Sequence, residues 1–219
     1  MDKPKIIADE VRELLHTRFV KVYELPYEDG TRYFDASRRE QGDLLALKDE
    51  AELTRMLPDA ISACLVLDVA GYEPRIVLFY EYRYPTGQFV LSIPSGLIDA
   101  RDRAEEDPLV AATVREIHEE TGIELGPDDE VRVVSPFLFN TPGFTDESTA
   151  LLCVVAHVDD TSMLSQEGAE GSERFDGFVL ATREQTEKIL AEGRDPHGHF
   201  YPMVTWAAMT HFASGRWQK

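Results

Sequence analysis

The stretch ATVREIHEETGIE carries Glu116, Glu119 and Glu120 at i, i+3 and i+4, so in a helix the three carboxylates share one face. Like charges at that spacing repel one another. Acids near a helix C-terminus also oppose the macrodipole, by roughly 0.3–1 kcal/mol each. A solvated acidic face is the plain account of such a cluster. Arg115 stands beside it, a residue able to grip a carboxylate bidentately. Hard divalent cations take carboxylate oxygens as ligands, and Mg2+ commonly bridges on to phosphate oxygens. The chemistry open to this face is therefore cation-assisted work on a phosphate-bearing ligand.

Presenting that face takes a helix over 108–121. Asp107 is placed to cap it, Pro108 suits its first turn, and Gly122 sits at the expected C′ position. Val110, Val114 and Ile117 are expected to form its apolar stripe. Upstream, ISACLVLDVA, RIVLFYEYRY and FVLSIPSGLI read as strands, the first two joined by the turn GYEP. Downstream, EVRVVSPFLF and TALLCVVAHV are strands around the loop NTPGFTDES. The acidic segment 159–174 reads as a mobile loop, FDGFVLATREQTEKILAEG as a strand then a helix, and FYPMVTWAAMTHFASG as a last helix. The N-terminal residues suggest an amphipathic helix over 4–18, with Ile6, Val11, Leu14 and Leu15 near helical spacing. A hairpin follows, turning at Glu28-Asp29-Gly30. The expected division is 1–57, a small helix-and-hairpin subdomain, and 58–219, the main domain. Strands and helices intermixed in this order predict an α/β or α+β sandwich.

The chain has 219 residues, 43% of them hydrophobic, enough for a packed core. Its formal net charge of -19 disfavours nucleic acid and anionic membranes as partners. The N-terminal residues are charged, without an apolar signal core, and no apolar run approaches the ~20 residues of a membrane helix, so a cytoplasmic protein is expected. Cys64 and Cys153 both lie in apolar strand-like runs and read as buried thiols.

The segment REIHEETGI resembles the second half of the Nudix box, matching it at Arg115, Glu116, Ile117, Glu119, Glu120, Gly122 and Ile123. IPSGLIDA resembles the stretch that opens the box in ADP-ribose and other nucleotide-sugar pyrophosphatases, which makes Gly96 the box glycine. The resemblance implies a Nudix α/β/α sandwich with a mixed sheet and a small N-terminal β-rich subdomain. It further implies Mg2+, with Mn2+ as alternative, on Glu116, Glu119, Glu120 and the carbonyl of Ser95. Gly96 to Arg115 is five residues longer than the usual spacing. The family's intervening acid falls on Asp107 when counted back from Arg115, with Glu105 and Glu106 as neighbours, and ARDRAE reads as a surface insertion.

Other segments extend the resemblance. FYEYRYPTG is similar to the strand in which an arginine, here Arg83, contacts substrate. NTPGFTDE is similar to a loop of ADP-ribose pyrophosphatases, matching at Pro142, Gly143 and Glu147. The acidic loop is similar to one that carries a catalytic glutamate, placed at Glu173, with Glu170 as alternative. TRYFDASRR is similar to a segment that presents a ring and basic residues to adenine and phosphates, here Phe34 with Asp35 and Arg39. The family usually has Glu where this chain has Ser92.

Taken together, the resemblance implies hydrolysis of the pyrophosphate bond of ADP-ribose or a related nucleoside diphosphate sugar. Glu116, Glu120, Glu173 and Arg115 would be catalytic, and Phe34, Asp35, Arg39, Arg83, Gly96 and Glu147 would bind substrate. It also implies a homodimer. Dinucleoside polyphosphates or NADH as substrates, or a non-catalytic nucleotide-sensing domain of the same fold, are the alternatives.

Overall fold

The computed structural model describes residues 3–168 and 171–219. By internal contacts the chain divides into two units, Met1–Asp59 with Phe137–Thr149, and Ala60–Pro136 with Ala150–Lys219.

In the first unit a three-stranded antiparallel sheet runs in the order β1 (Arg12–His16), β2 (Lys21–Pro26), β3 (Arg32–Ser37). The short helix α1 (Glu50–Leu53) carries a full capping box, with Asp49 accepting from the Glu52 amide and Glu52 reaching back to the Asp49 amide. The amphipathic helix expected over 4–18 does not form; a single 3-10 turn at Ala8–Glu10 leads into a strand. Residues 12–16 are a strand paired with β2, with Arg12 opposite Glu24 and Glu13 opposite Tyr23. Ile6 and Val11 pack with Tyr23, Leu25 and Leu44, while Leu14 and Leu15 are each 51% exposed. The helical spacing of these residues was thus a coincidence of two groups in different surroundings, and strand pairing with β2 decides the backbone.

The second unit is built on a seven-stranded sheet. Its main path is β10 (Phe175–Ala181), β5 (Arg75–Arg83), β4 (Ala60–Val69), β9 (Ser148–Val158), β8 (Glu130–Phe139). The stretch FVLSIPSGLI is split at Ile93-Pro94 into β6 (Gln88–Ser92), which pairs with β5, and β7 (Ser95–Leu97), which pairs with β4. Pro94 cannot donate to a ladder, so a break there follows from its chemistry.

Both faces of this sheet are covered, because alternate strand residues point to opposite sides. Ala63, Leu65, Leu67 and Val77 meet Ile117 of α2 (Pro108–Thr121) on one side. Cys64, Val66, Ile76 and Leu78 meet Ile189 of α3 (Arg183–Glu192) and Met209 and Phe212 of α4 (Met203–Ala213) on the other. The result is the α/β/α sandwich with a large mixed sheet and a small β-rich N-terminal unit. Cys64 and Cys153 are buried free thiols, as expected. Among the described residues no helix is long and apolar enough to cross a membrane.

Candidate active site

Helix α2 begins and ends where its sequence dictates. Asp107 accepts from the Val110 amide, Pro108 occupies the first turn, and Gly122 takes a left-handed conformation with φ of 75°. Its buried stripe differs from expectation. Leu109, Ala112, Thr113, Glu116, Ile117, Glu120 and Thr121 are buried, whereas Val114 is 37% exposed. Two of the glutamates therefore lie on the face turned to the sheet, not on a solvated one.

Those two acids are held differently. Glu120 is 4% exposed and accepts from the Ser95 amide at 2.9 Å. Glu116 is 7% exposed and lies so close to Gly96 that a Cβ there would fall 1.7 Å from Glu116 Oε1. Burial, opposed by Arg115 and reinforced by Glu119 and Glu173, pushes the Glu116 carboxyl up to about 7. Burial also pushes Glu120 well up, and the charges of Glu116, Glu81 and Glu173 add to that.

Arg115 ties the helix to the turn that follows β7. It donates to Asp102 Oδ2 at 2.8 Å, the Leu97 carbonyl at 2.9 Å, Glu116 Oε1 at 2.6 Å and Glu119 Oε2 at 2.9 Å. Glu119 also accepts from Arg101 at 3.3 Å. The acid facing Arg115 is Asp102, which is 3% exposed, while Asp107 is spent on the helix cap. The segment ARDRAE is accordingly more than a surface insertion, since it buries Asp102 beneath Arg115. Counting back from Arg115 missed this, because the extra residues lie between Asp102 and the helix.

The acidic loop reaches the same cluster. Tyr82 donates its amide to the Arg174 carbonyl at 2.9 Å and Phe175 stands opposite Glu81, so pairing along β5 delivers Glu173 beside the carboxylates. The charge of Glu173 raises the pKa of Glu81, Glu116 and Glu120 alike. The expected mobile loop is anchored in part. Ser165 donates to the Thr121 carbonyl at 2.9 Å, and a Cβ at Gly168 would fall 2.2 Å from the Glu119 carbonyl oxygen. Glu170 lies outside the described residues.

Sequence reading missed Glu81. It is 8% exposed, receives Arg83 Nη2 at 2.8 Å and accepts from Ser92 Oγ at 2.8 Å. The available signal was an acid inside a strand of apolar residues, two positions from Arg83 and so on its face.

The remaining candidates belong to the first unit, where two distant motifs meet. Tyr33 Oη donates to the Gly143 carbonyl at 3.0 Å, the Ala36 amide to the Phe144 carbonyl at 3.2 Å, and Thr145 Oγ1 to the Ala36 carbonyl at 2.6 Å. Arg38 pairs with Glu147 at 2.8 Å. Arg39 pairs with Asp59 at 2.8 Å and with Asp146 at 3.5 Å, so its charge is satisfied inside this unit. Asp35 is 6% exposed, and Phe34 presents a ring that is 56% exposed. A groove of about 910 Å3 opens here, lined by Tyr27, Tyr33, Phe34, Asp35 and Phe144 among others. Every one of these lining residues belongs to the first unit, and they bring rings and a carboxyl group to the groove.

Among the described residues no group of three or more His, Cys, Asp or Glu side chains is already gathered to hold a metal ion. The donor set nonetheless fits a hard divalent cation. Glu116 and Glu120 are buried oxygen donors that raise each other's energy, and a cation between them would relieve that repulsion.

A carboxylate helix is laid on one face of a mixed sheet, beside a Pro-Ser-Gly break, and solved structures share this fold. A crystal structure of an ADP compounds hydrolase shares the fold, with a TM-score of 0.58 and 18% identity over 99% of this chain and 97% of that one. The ADP-ribose pyrophosphatase of Saccharomyces cerevisiae is 32% identical over 157 residues, 70% of this chain and 59% of that protein. An uncharacterized Nudix hydrolase of Schizosaccharomyces pombe is 24% identical over 195 residues, 86% of this chain and 84% of its own length. Several other curated relatives are matched over about half of their length. No family model matches the chain. The chain is thus similar in sequence to several Nudix hydrolases, and similar in fold to an ADP compounds hydrolase.

Proposed function

We propose that this protein hydrolyses the pyrophosphate bond of ADP-ribose or a related nucleoside diphosphate sugar, giving AMP and a sugar phosphate. One observation carries the reading. Glu116, Glu120 and the loop acid Glu173 act on one another electrostatically at the Ser95-Gly96 turn, in a chain whose relatives include an ADP-ribose pyrophosphatase.

In this reading Glu116, Glu119, Glu120 and the Ser95 carbonyl hold Mg2+, with Mn2+ as the alternative. A divalent cation held there would supply charge neutralisation at the diphosphate and a lowered pKa for the attacking water. Arg115 keeps Glu116 and Glu119 oriented through the contacts described. Gly96 leaves room for the Glu116 carboxylate. Glu173 takes the proton of the attacking water on its carboxylate. Arg83, 45% exposed, holds a phosphate oxygen of the substrate. Phe34 offers its exposed ring to a base, and Asp35, Arg39 and Glu147 complete the substrate contacts of this unit. The protein works as a homodimer, an assembly suited to the apolar surface that Leu14, Leu15 and Phe19 leave exposed.

The test is turnover of ADP-ribose, ADP-glucose, diadenosine polyphosphates and NADH, each with Mg2+ and with chelator. ADP-ribose or ADP-glucose should be preferred, and chelator should abolish turnover. Glu116→Gln and Glu120→Gln should each keep the fold by circular dichroism and lower kcat by about 10²-fold or more. Near-normal turnover by both variants, or by wild type in chelator, would contradict the reading.

A further inference from the structure

Strand β5 sends Val77, Phe79, Glu81 and Arg83 to the side of the sheet that faces α2. Of these, Glu81 is a buried carboxylate that also feels the charges of Glu120 and Glu173, and a buried charge of that kind must find cationic or hydrogen-bonding partners. It has two. Ser92, opposite Phe79 on β6 and so on the same face, donates its hydroxyl to Glu81 Oε2 at 2.8 Å. Arg83, the last residue of β5, places Nη2 on that same oxygen at 2.8 Å. The serine fixes the carboxylate, and the carboxylate fixes the guanidinium. Arg83 remains 45% exposed, so the clamped group still reaches a ligand.

We propose that Glu81 is a positioning residue. With Ser92 it holds the Arg83 guanidinium in the pose that binds the substrate's phosphate, supplying from β5 a carboxylate that β6 lacks. The inference rests on the diphosphate-hydrolase reading above. A flexible arginine at a strand end samples many rotamers, and an ion pair to an immobile carboxylate removes most of that freedom before the ligand arrives. A carboxylate that merely stood near an anionic ligand would do the opposite and weaken binding, so the two roles differ in sign.

The experiment is a double-mutant cycle of Glu81→Gln and Arg83→Ala, with ADP-ribose and Mg2+ for kinetics. Glu81→Gln should raise KM about tenfold with kcat within about twofold, and the double variant should match Arg83→Ala within about twofold. The exchange Glu81→Ser with Ser92→Glu keeps composition and charge and should restore most of the KM. A second readout needs no turnover. The Arg83 side-chain NH signals in 15N spectra, identified by their loss in Arg83→Ala, should be slowly exchanging in wild type, broadened in Glu81→Gln and recovered in the exchange variant. If Glu81→Gln fails to fold, the exchange variant decides by the same two readouts. An unchanged or lowered KM in Glu81→Gln, additive effects in the cycle, or Arg83 signals indifferent to Glu81 would overturn the inference. Wild type inert toward every diphosphate tried would instead sink the functional reading and this inference with it, an outcome plainly distinct from active wild type with an additive cycle.

Discussion

A methyl group at position 96 would fall 1.7 Å from Glu116 Oε1 and 1.9 Å from its Cδ. That contact cannot persist, so something would move. The backbone at Gly96 has no positive φ and accepts alanine without strain. The mobile partner is the end of the Glu116 side chain, which would have to leave Arg115. Gly96→Ala is therefore expected to fold, with stability changed by about 1 kcal/mol or less, and to lower turnover of ADP-ribose by roughly 10²-fold through a misplaced carboxylate. Urea unfolding and steady-state kinetics on one preparation check both halves. A variant with full activity would show that the Glu116 position in the structure does not matter to the chemistry.

Helix α2 is set on the sheet by apolar contacts and by one polar knot. Arg115, 15% exposed at its side chain, joins Asp102, the Leu97 carbonyl, Glu116 and Glu119. Removing one partner of a buried pair leaves the other charge uncompensated, at a cost of ~3–5 kcal/mol. Arg115 would keep three other acceptors, so Asp102→Ala should cost about 3 kcal/mol in urea unfolding, at the lower end. Glu105→Ala and Glu106→Ala, on exposed residues, should stay within about 0.5 kcal/mol. Equal effects at all three positions would mean that the knot does not anchor the helix. This knot also marks the limit of what was legible beforehand. The cap at Asp107, the stop at Gly122 and the glutamate spacing are local properties, and local chemistry declares them. Which face of α2 is buried is not local. Val114 looked like core, yet Glu116 and Glu120 occupy the stripe, because the site needs its acids turned toward the Ser95-Gly96 turn. Asp102 and Glu81 were hidden for a similar reason, each defined by a partner distant in sequence or on a neighbouring strand.

Across the whole molecule the strands of the second unit were readable from their apolar runs, whereas the composition of the first unit was not. Residues 137–149 join it through contacts of TPGFTDE with β3, more than a hundred positions apart in sequence, and no periodicity announces such a docking. The docking carries an electrical cost. Asp146 donates its amide to Asp35 Oδ1 at 3.0 Å, bringing two carboxyl groups together where Asp35 is 6% exposed. Burial, and then the Asp146 charge, push Asp35 up to about 6, with the Asp146 amide and Arg39 pulling the other way. In the unfolded chain an aspartate titrates near ~3.9. Between about pH 4 and pH 6 the folded state therefore keeps a proton that the unfolded state has released. Stability contributed by this group falls as pH rises through that window and is level above it. Asp35→Asn keeps an oxygen to accept from the Asp146 amide and removes the ionisable group. The variant should lose the decline and be more stable than wild type at pH 7, while matching it near pH 4. Trp206 and Trp217 both lie in the second unit, so tryptophan fluorescence follows that unit, and far-UV circular dichroism follows both. Urea unfolding at intervals from pH 4 to pH 8 should show the difference in circular dichroism and not in a tryptophan transition resolved from it. Parallel pH curves for wild type and Asp35→Asn would show that Asp35 binds its proton equally in the folded and unfolded states, and that the two acids are better solvated than their burial implies.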